Sequence, residues 1–325
     1  IQMTEICKII DSKYQPLAIV SLMTSYSSWF PFYYHFKKDN RFRQLHFTNK
    51  HYVFDHFNLF PATKHFYRFL KLKKNRNLNK IEKIEINRFL KNRFRLKNNR
   101  KSSIENFLKL NKTKKNIFIF PNVFWDIGLS DKGRLFDTVL EWLFYTIDLL
   151  KNNPNYHIYI KPHPNEFNED AFFSPGVEKI IKKKYGNSIK NLSFIKNTSK
   201  VSSYDLWQVI DLALVFNGTL HLEFSLLGVP VVATGNSMIS GIGFDKKVES
   251  LTCYKEILTK KNYDFRKFVI KDKNRLLTFA YFWFIKIKFK WEKNNYYAEV
   301  FNRFKHFGFK SFNDCNFNTP QTKRF

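Results

Sequence analysis

The sequence predicts an α/β fold wound around a parallel sheet, and three observations carry that expectation. From Asn116 onward, short apolar runs alternate with stretches of helical periodicity. The connections between them are short, as in strands buried on both faces and covered by helices. Two connections, Lys161-Pro162-His163-Pro164-Asn165-Glu166 and Asn217-Gly218-Thr219, have polar compositions that follow directly on apolar strands. Open parallel sheets bind ligands at the carboxyl ends of their strands. Both loops fall there, so a nucleotide-type ligand is the leading expectation.

Taken in order, residues 1 to about 70 mix weak apolar runs with aromatic clusters such as Trp29-Phe30-Pro31-Phe32-Tyr33-Tyr34, and Ala18 to Leu22 reads as a weak strand. The segment 71–115 holds 17 Lys or Arg against 3 acidic residues. Within it Ile81, Ile84, Ile86, Phe89 and Leu90 recur at helical spacing, which predicts a basic amphipathic helix, and 97–115 reads as a linker. Then come a strand over 116–123, a helix over 133–151, a strand over 157–160, a helix over 177–184 and a strand over 192–195. A short helix over 204–210, a strand over 212–216, a helix over 220–227 and a strand over 229–233 complete the pattern. No internal repeat is visible. The tail beginning at Asn274 reads either as a helix packed across the domains or as an aromatic and basic segment touching an anionic membrane surface.

Composition bounds the function classes. A chain of 325 residues with 44% hydrophobic and 18% aromatic residues can bury a core and is not a disordered polymer. Cys7, Cys253 and Cys315 are far apart with no paired spacing, which argues against a disulfide framework or a zinc site. The formal net charge of +29 favours anionic partners. A Lys-, Asn-, Phe- and Ile-rich mix is also what AT-rich coding produces without selection for a partner. Ile1 to Lys13 lacks the pattern of a signal peptide, and no run of 18 apolar residues predicts a spanning helix. The expected location is cytoplasmic, with peripheral contact at the inner membrane face.

The chemistry-bearing candidates lie on the two loops and beside them. Pro162 and Pro164 stiffen the segment that presents Lys161 and His163, a pair suited to an anionic leaving group; a rigid turn with an exposed Lys is the plainer reading. Gly218 allows close backbone approach, and Thr219 either caps the following helix or hydrogen-bonds a phosphate. Glu223 sits one turn into an apolar helix, where a carboxylate is costly without partners. It reads as an acceptor for sugar hydroxyls or as part of a solvated face, and His221 as readily a surface residue. Either Ser202 or Ser203 caps the helix before the Asn217 strand. Asp126, just past the first strand of this half, is a candidate base. No P-loop, GxSxG, HExxH or GxGxxG signature is present.

In order along the chain, Asn122-Val123-Phe124-Trp125-Asp126, Glu141-Trp142-Leu143, the Lys161–Glu166 loop, Ser202-Ser203-Tyr204-Asp205 and Asn217 through Glu223 to Gly228-Val229-Pro230-Val231 resemble the bacterial capsule polysaccharide biosynthesis proteins. That group includes Kdo-transferring glycosyltransferases. The resemblance covers about residues 116–290. It implies a GT-B-like fold, with two Rossmann-like domains whose parallel sheets face a cleft and an N-terminal domain that is short or incomplete. The implied division is 1–112 on the acceptor side, 113–272 binding the nucleotide sugar, and 273–325 as a C-terminal helix and tail. Carried over, Lys161 and His163 face the donor phosphate, Asn217, Gly218 and Thr219 bind phosphate, Ser203 lines the donor site and Glu223 holds the ribose. No metal or cofactor is implied. The base would come from the N-terminal side, where Glu5, Asp39 and Asp55 are available.

The expected function is therefore metal-independent transfer of a sugar from a nucleotide donor to a lipid-linked or glycan acceptor. A CMP-activated ulosonic acid such as Kdo is the first donor and a UDP-sugar the second. A teichoic-acid-type glycerophosphotransferase, a nucleic-acid-binding protein and a catalytically silent relative are the alternatives. No specific nucleic acid is expected, because the basic residues come without a recognisable reading motif.

Overall fold

The computed structural model of the chain describes residues 2–16, 19–21, 30–36, 41–48, 51–55, 77–95, 101–110, 113–124, 135–167, 176–196, 199, 201–235, 237, 239, 248–286 and 289–290. The N-terminal elements are α1 (Gln2–Tyr14), β1 (Ile19–Ser21), α2 (Phe30–Phe36), β2 (Phe42–Thr48) and β3 (His51–Asp55). β1 runs parallel to β2 and β2 antiparallel to β3, and the late strand Phe289–Lys290 pairs antiparallel with β3. The parallel sheet expected for this half is thus a mixed one. The reason is the connection: Thr48 pairs with His51, leaving two residues between the strands, and so short a link joins only antiparallel neighbours. Asp11 ties α1 to its surroundings, accepting hydrogen bonds from Arg41 at 2.5 and 3.1 Å and lying 2.8 Å from His35 Nε2. The Arg41 and His35 bonds hold the Asp11 carboxyl down at about 2.

The expected basic helix is α3 (Lys80–Phe94), opened by a reciprocal cap between Asn79 and Glu82. Its inner face buries Ile86, Leu90 and Phe94, while Lys80, Ile81, Lys83, Ile84, Arg88 and Lys91 point outward. The segment read as a linker contains α4 (Lys101–Leu108), a correction with a plain cause: Ile104 is buried among the apolar residues under the second sheet.

That second sheet is the parallel one. β4 (Lys115–Phe120), β5 (Tyr156–Ile160), β6 (Leu192–Phe194), β7 (Leu212–Val215) and β8 (Val231–Ala233) stand in the order β6-β5-β4-β7-β8, all parallel. The helices between them are α5 (Val139–Leu150), α6 (Val177–Tyr185) and α7 (Leu220–Leu226), and α8 (Leu251–Thr259) follows. α5 starts six residues later than its apolar pattern suggests. Leu135 N–H is bonded to the Thr234 carbonyl instead, and Thr138 caps the helix through the Glu141 N–H at 3.0 Å.

Both faces of the sheet are covered. Ile117, Ile119, Ile158, Ile160, Leu212 and Leu214 pack against α5, α6 and α8, with Trp142 at the centre. Trp142 Nε1 donates to the Tyr254 hydroxyl at 3.0 Å, so even this indole is satisfied inside the core. On the other face Phe118, Phe120, Tyr159, Ala213 and Val215 pack with Leu206, Val209 and Phe224 of α7. Finally α9 (Lys273–Tyr281) runs into a π-helical turn over Phe282–Lys286. Leu276, Phe279, Phe282 and Phe284 are buried with Leu90 and Phe94 of α3, so this part of the tail packs against the protein. Each such side chain contributes roughly 1.5–3 kcal/mol.

Candidate functional site

The sheet order creates a crevice. α5, which follows β4, lies on one face of the sheet, and α7, which follows β7, lies on the other. β4 and β7 are neighbours, so their outgoing chains diverge at the carboxyl edge, where doubly wound sheets take ligands. Asn122 stands at the end of β4, and its Oδ1 accepts the Asn217 N–H at 3.4 Å across the crevice. β5 lies on the far side of β4, so Lys161 and the Asn217 loop are separated by one strand, or about 10 Å. The two loops singled out in the sequence therefore flank one opening.

Lys161 extends the ladder of β5, its N–H bonded to the Ile119 carbonyl at 3.1 Å. Alternation along the strand puts its side chain on the Tyr159 face, above the turn that carries Asp205. The residue is only 5% exposed, which overturns the plainer reading of an exposed Lys. Burial pushes its ammonium below the usual lysine range, and Asp205 works partly against that shift. Among the described residues no hydrogen bond or ion pair satisfies this ammonium. His163 is half-buried, and its Nδ1 accepts the Asn165 N–H at 3.1 Å. In the neutral ring that bond leaves the proton on Nε2, making the outer nitrogen a donor. Glu166, from the same loop, is buried and accepts the Val177 N–H at 2.5 Å; it caps α6 and belongs to the fold.

Gly218 has φ +101°, a backbone that side chains other than hydrogen rarely adopt, and its nearest neighbour is Asn122 Nδ2. Thr219 holds the cap position of α7, yet its hydroxyl makes no capping bond. Ser202, not Ser203, caps the turn at Ser203–Leu206, in a reciprocal pair with Asp205; Ser203 is half-buried on that turn.

Glu223 is 1% exposed, so the solvated-face reading is corrected. Its Oε1 accepts from Arg93 Nε at 2.6 Å and is also bonded by Arg93 Nη2, and the Tyr204 hydroxyl bonds the same carboxylate. Burial, with Glu223 next, pushes the Tyr204 phenol well above its ordinary value. For Arg93, burial opposes the charge but the Glu223 carboxylate outweighs it, so the guanidinium is held more firmly than usual. His221 is likewise buried, not a surface residue; its Nδ1 bonds Ser237 Oγ, and burial depresses it to about 3. Asp126 lies outside the described residues.

Sequence reasoning missed Arg93 and Tyr204 as site residues and used Asn122 only within a motif. Asn122 had a usable signal, its place at the end of the first strand of the sheet. Arg93 had none, since its contact with Glu223 spans 130 positions.

No protein-family model matches this chain, and no curated protein does. Solved structures similar to it include two from KpsC of Thermosulfurimonas dismutans. The β-Kdo 2,4 transferase is 14% identical, with a TM-score of 0.46 over 81% of this chain and 78% of its own. The β-Kdo 2,7 transferase is 16% identical, with a TM-score of 0.41 over 74% of this chain and 68% of its own. The UDP-GlcNAc 2-epimerase of Neisseria meningitidis, bound to UDP-GlcNAc, is 14% identical, with a TM-score of 0.36 over 70% of this chain and 52% of its own. The architecture rests on the strand order and register given above.

Proposed function

We propose that the chain is a glycosyltransferase of capsule or related surface-polysaccharide synthesis, holding a nucleotide sugar in the crevice between β4 and β7. The observation that carries this reading is Lys161, a residue 5% exposed at the carboxyl edge of a parallel sheet, whose ammonium is opposed by burial and only partly favoured by Asp205. A buried cation compensated only in part is costly, and a donor phosphate placed there would lower the cost. His163 Nε2 and the Asn217–Thr219 backbone would supply further donors to the same phosphate. Ser203 would line the donor site and Glu223 would take hydroxyls of the nucleotide.

In the reaction the bond from the anomeric carbon to the phosphate oxygen breaks as the acceptor oxygen bonds to that carbon. The acceptor proton passes to a base, for which Asp126 and the N-terminal acids are the candidates. The nucleotide leaves with both bonding electrons, and the charge on its phosphate is what Lys161 and His163 would stabilise. No metal is called for in this scheme, because fixed cations and donors do that work. The donors of this reading are a CMP-activated ulosonic acid first and a UDP-sugar second, with a lipid-linked or glycan acceptor.

The test is product analysis after incubation with CMP-Kdo, UDP-sugars or CDP-glycerol and a lipid-linked glycan acceptor. A new glycosidic linkage supports the reading. A phosphodiester formed from CDP-glycerol would replace it with glycerophosphate transfer.

A further inference from the structure

Glu223 poses a geometric problem for any ligand that would use it. Its side chain is 2% exposed, and what covers it is Arg93, itself 34% exposed. Arg93 reaches in from the last turn of α3, far from α7 in sequence, with its guanidinium also seated 5.1 Å from the Phe284 ring. Nε and Nη2 both bind Oε1, and Tyr204 adds a further bond, so little of the carboxylate's accepting capacity is left. Arg93 thus occupies the Oε1 that a ligand hydroxyl would use. The body of α3 is fixed, since Ile86, Leu90 and Phe94 are buried against α9, but Arg93 stands on its outer side at the final turn. That turn ends at Arg95, a non-glycine residue with φ +46°. The movable part is therefore one side chain and the turn that carries it.

We propose that Arg93 is a latch on the ligand site: it occupies Glu223 in the ligand-free protein, and nucleotide hydroxyls and Arg93 compete for the same carboxylate. This rests on the nucleotide reading given above. Withdrawing the guanidinium alone would leave a buried carboxylate unpaired, which is strongly unfavourable, so the exchange can proceed only as ligand hydroxyls take over the accepting oxygens. Tyr204 stays on Glu223 throughout and keeps the carboxylate partnered during the exchange. Binding then frees a cation at the rim of the crevice and loosens the end of α3, which links ligand occupancy to the N-terminal part of the chain.

The test is calorimetric titration of CMP and UDP into the wild-type chain, Arg93→Gln and Glu223→Gln, with each variant's melting curve recorded to show that it is folded. A latch lowers apparent affinity by the fraction of molecules in which it is open, so its removal restores that fraction. Arg93→Gln is expected to bind about tenfold tighter or more, and Glu223→Gln to bind weaker than wild type. A folded Arg93→Gln that binds equally or more weakly overturns the latch while leaving the nucleotide reading in place. If no variant binds either nucleotide, the nucleotide reading fails and the latch falls with it. Amide exchange gives a second readout that does not depend on a variant folding. On nucleotide binding to the wild-type chain, the Arg93 to Arg95 amides are expected to exchange faster; unchanged or slower exchange contradicts the latch.

Discussion

Lys161 is the residue on which the proposed site depends, and its burial separates stability from function. In the free protein burial weighs against the charged ammonium and Asp205 offsets only part of that, so replacing it with an apolar chain of similar length removes a cost. Lys161→Met is expected to raise the melting temperature of the free protein by about 2–4 °C, the shift produced by ~1 kcal/mol. It should abolish stabilisation by nucleotides, and a variant less stable than wild type would contradict this view of Lys161. Two glycines divide along another line. Gly218→Ala meets no clash but forces a side chain onto φ +101°, which costs about 1–3 kcal/mol. Gly235→Ala would place a methyl 2.6 Å from the Phe216 carbonyl oxygen, a backbone atom that cannot move aside, and denaturant titration is expected to show the larger loss there. His221 sets an acid limit. Its folded value of about 3 lies below the ordinary 6.5, so between those values the unfolded chain binds a proton that the native chain does not. Stability should therefore fall as pH drops through that window, and His221→Asn should show a shallower fall in melting temperature between pH 6.5 and 4. Lys161 and Gly218 stood out in the sequence because each lies just past an apolar run, and Glu223 because it is a carboxylate inside one. The burial of His221 was not legible there, because its partner Ser237 lies 16 residues on, outside the helix that carries it.

At the scale of elements, the strands and helices of the parallel sheet followed from periodicity, since the central strands β4, β5 and β7 are apolar runs buried on both faces and α5 and α6 repeat their apolar residues at helical spacing. The boundaries that shifted did so for local reasons. α5 starts at its Thr138 cap because the residues before it are bonded to the end of β8. α4 was hidden in a basic stretch because one inward residue, Ile104, anchors it, too little for a periodic signal. The mixed N-terminal sheet was equally obscure, as a two-residue link between β2 and β3 carries no Gly or Asn-Gly mark. α3 depends on its cap. Asn79→Ala removes the bond to the Glu82 N–H, seen at 2.9 Å, and is expected to cost about 1 kcal/mol in chemical denaturation. An unchanged midpoint would mean that the contacts of α3 with α9 and with Glu223, and not its cap, hold it.

Across the whole molecule, the +29 charge and the proposed phosphate site would both favour anionic partners. No helix among the described residues is long and apolar enough to cross a membrane. The outer face of α3 offers Ile81 and Ile84, 70% and 49% exposed, beside Lys80, Lys83, Arg88 and Lys91. If that face rests on lipid, the chain should co-sediment with vesicles containing anionic phospholipid and lose about tenfold or more of that binding as salt is raised from low to high. The same vesicles with α3 carrying Ile81→Glu and Ile84→Glu should bind weakly at either salt. Absence of sedimentation at low salt removes the membrane part of the account and leaves the crevice untouched.

The central claim is that the β4–β7 crevice holds a nucleotide through Lys161, and a melting-temperature screen of wild type and Lys161→Met against CMP, UDP, GDP, CDP and CDP-glycerol tests it most directly. A ligand that binds only the folded state stabilises it by mass action, by ~2.7 kcal/mol at a hundred times its dissociation constant. The expected result is a rise with CMP or UDP in the wild-type chain that is absent in a folded Lys161→Met. A well-folded wild-type chain whose melting temperature moves with none of the five, or an equal rise in both proteins, would contradict the claim.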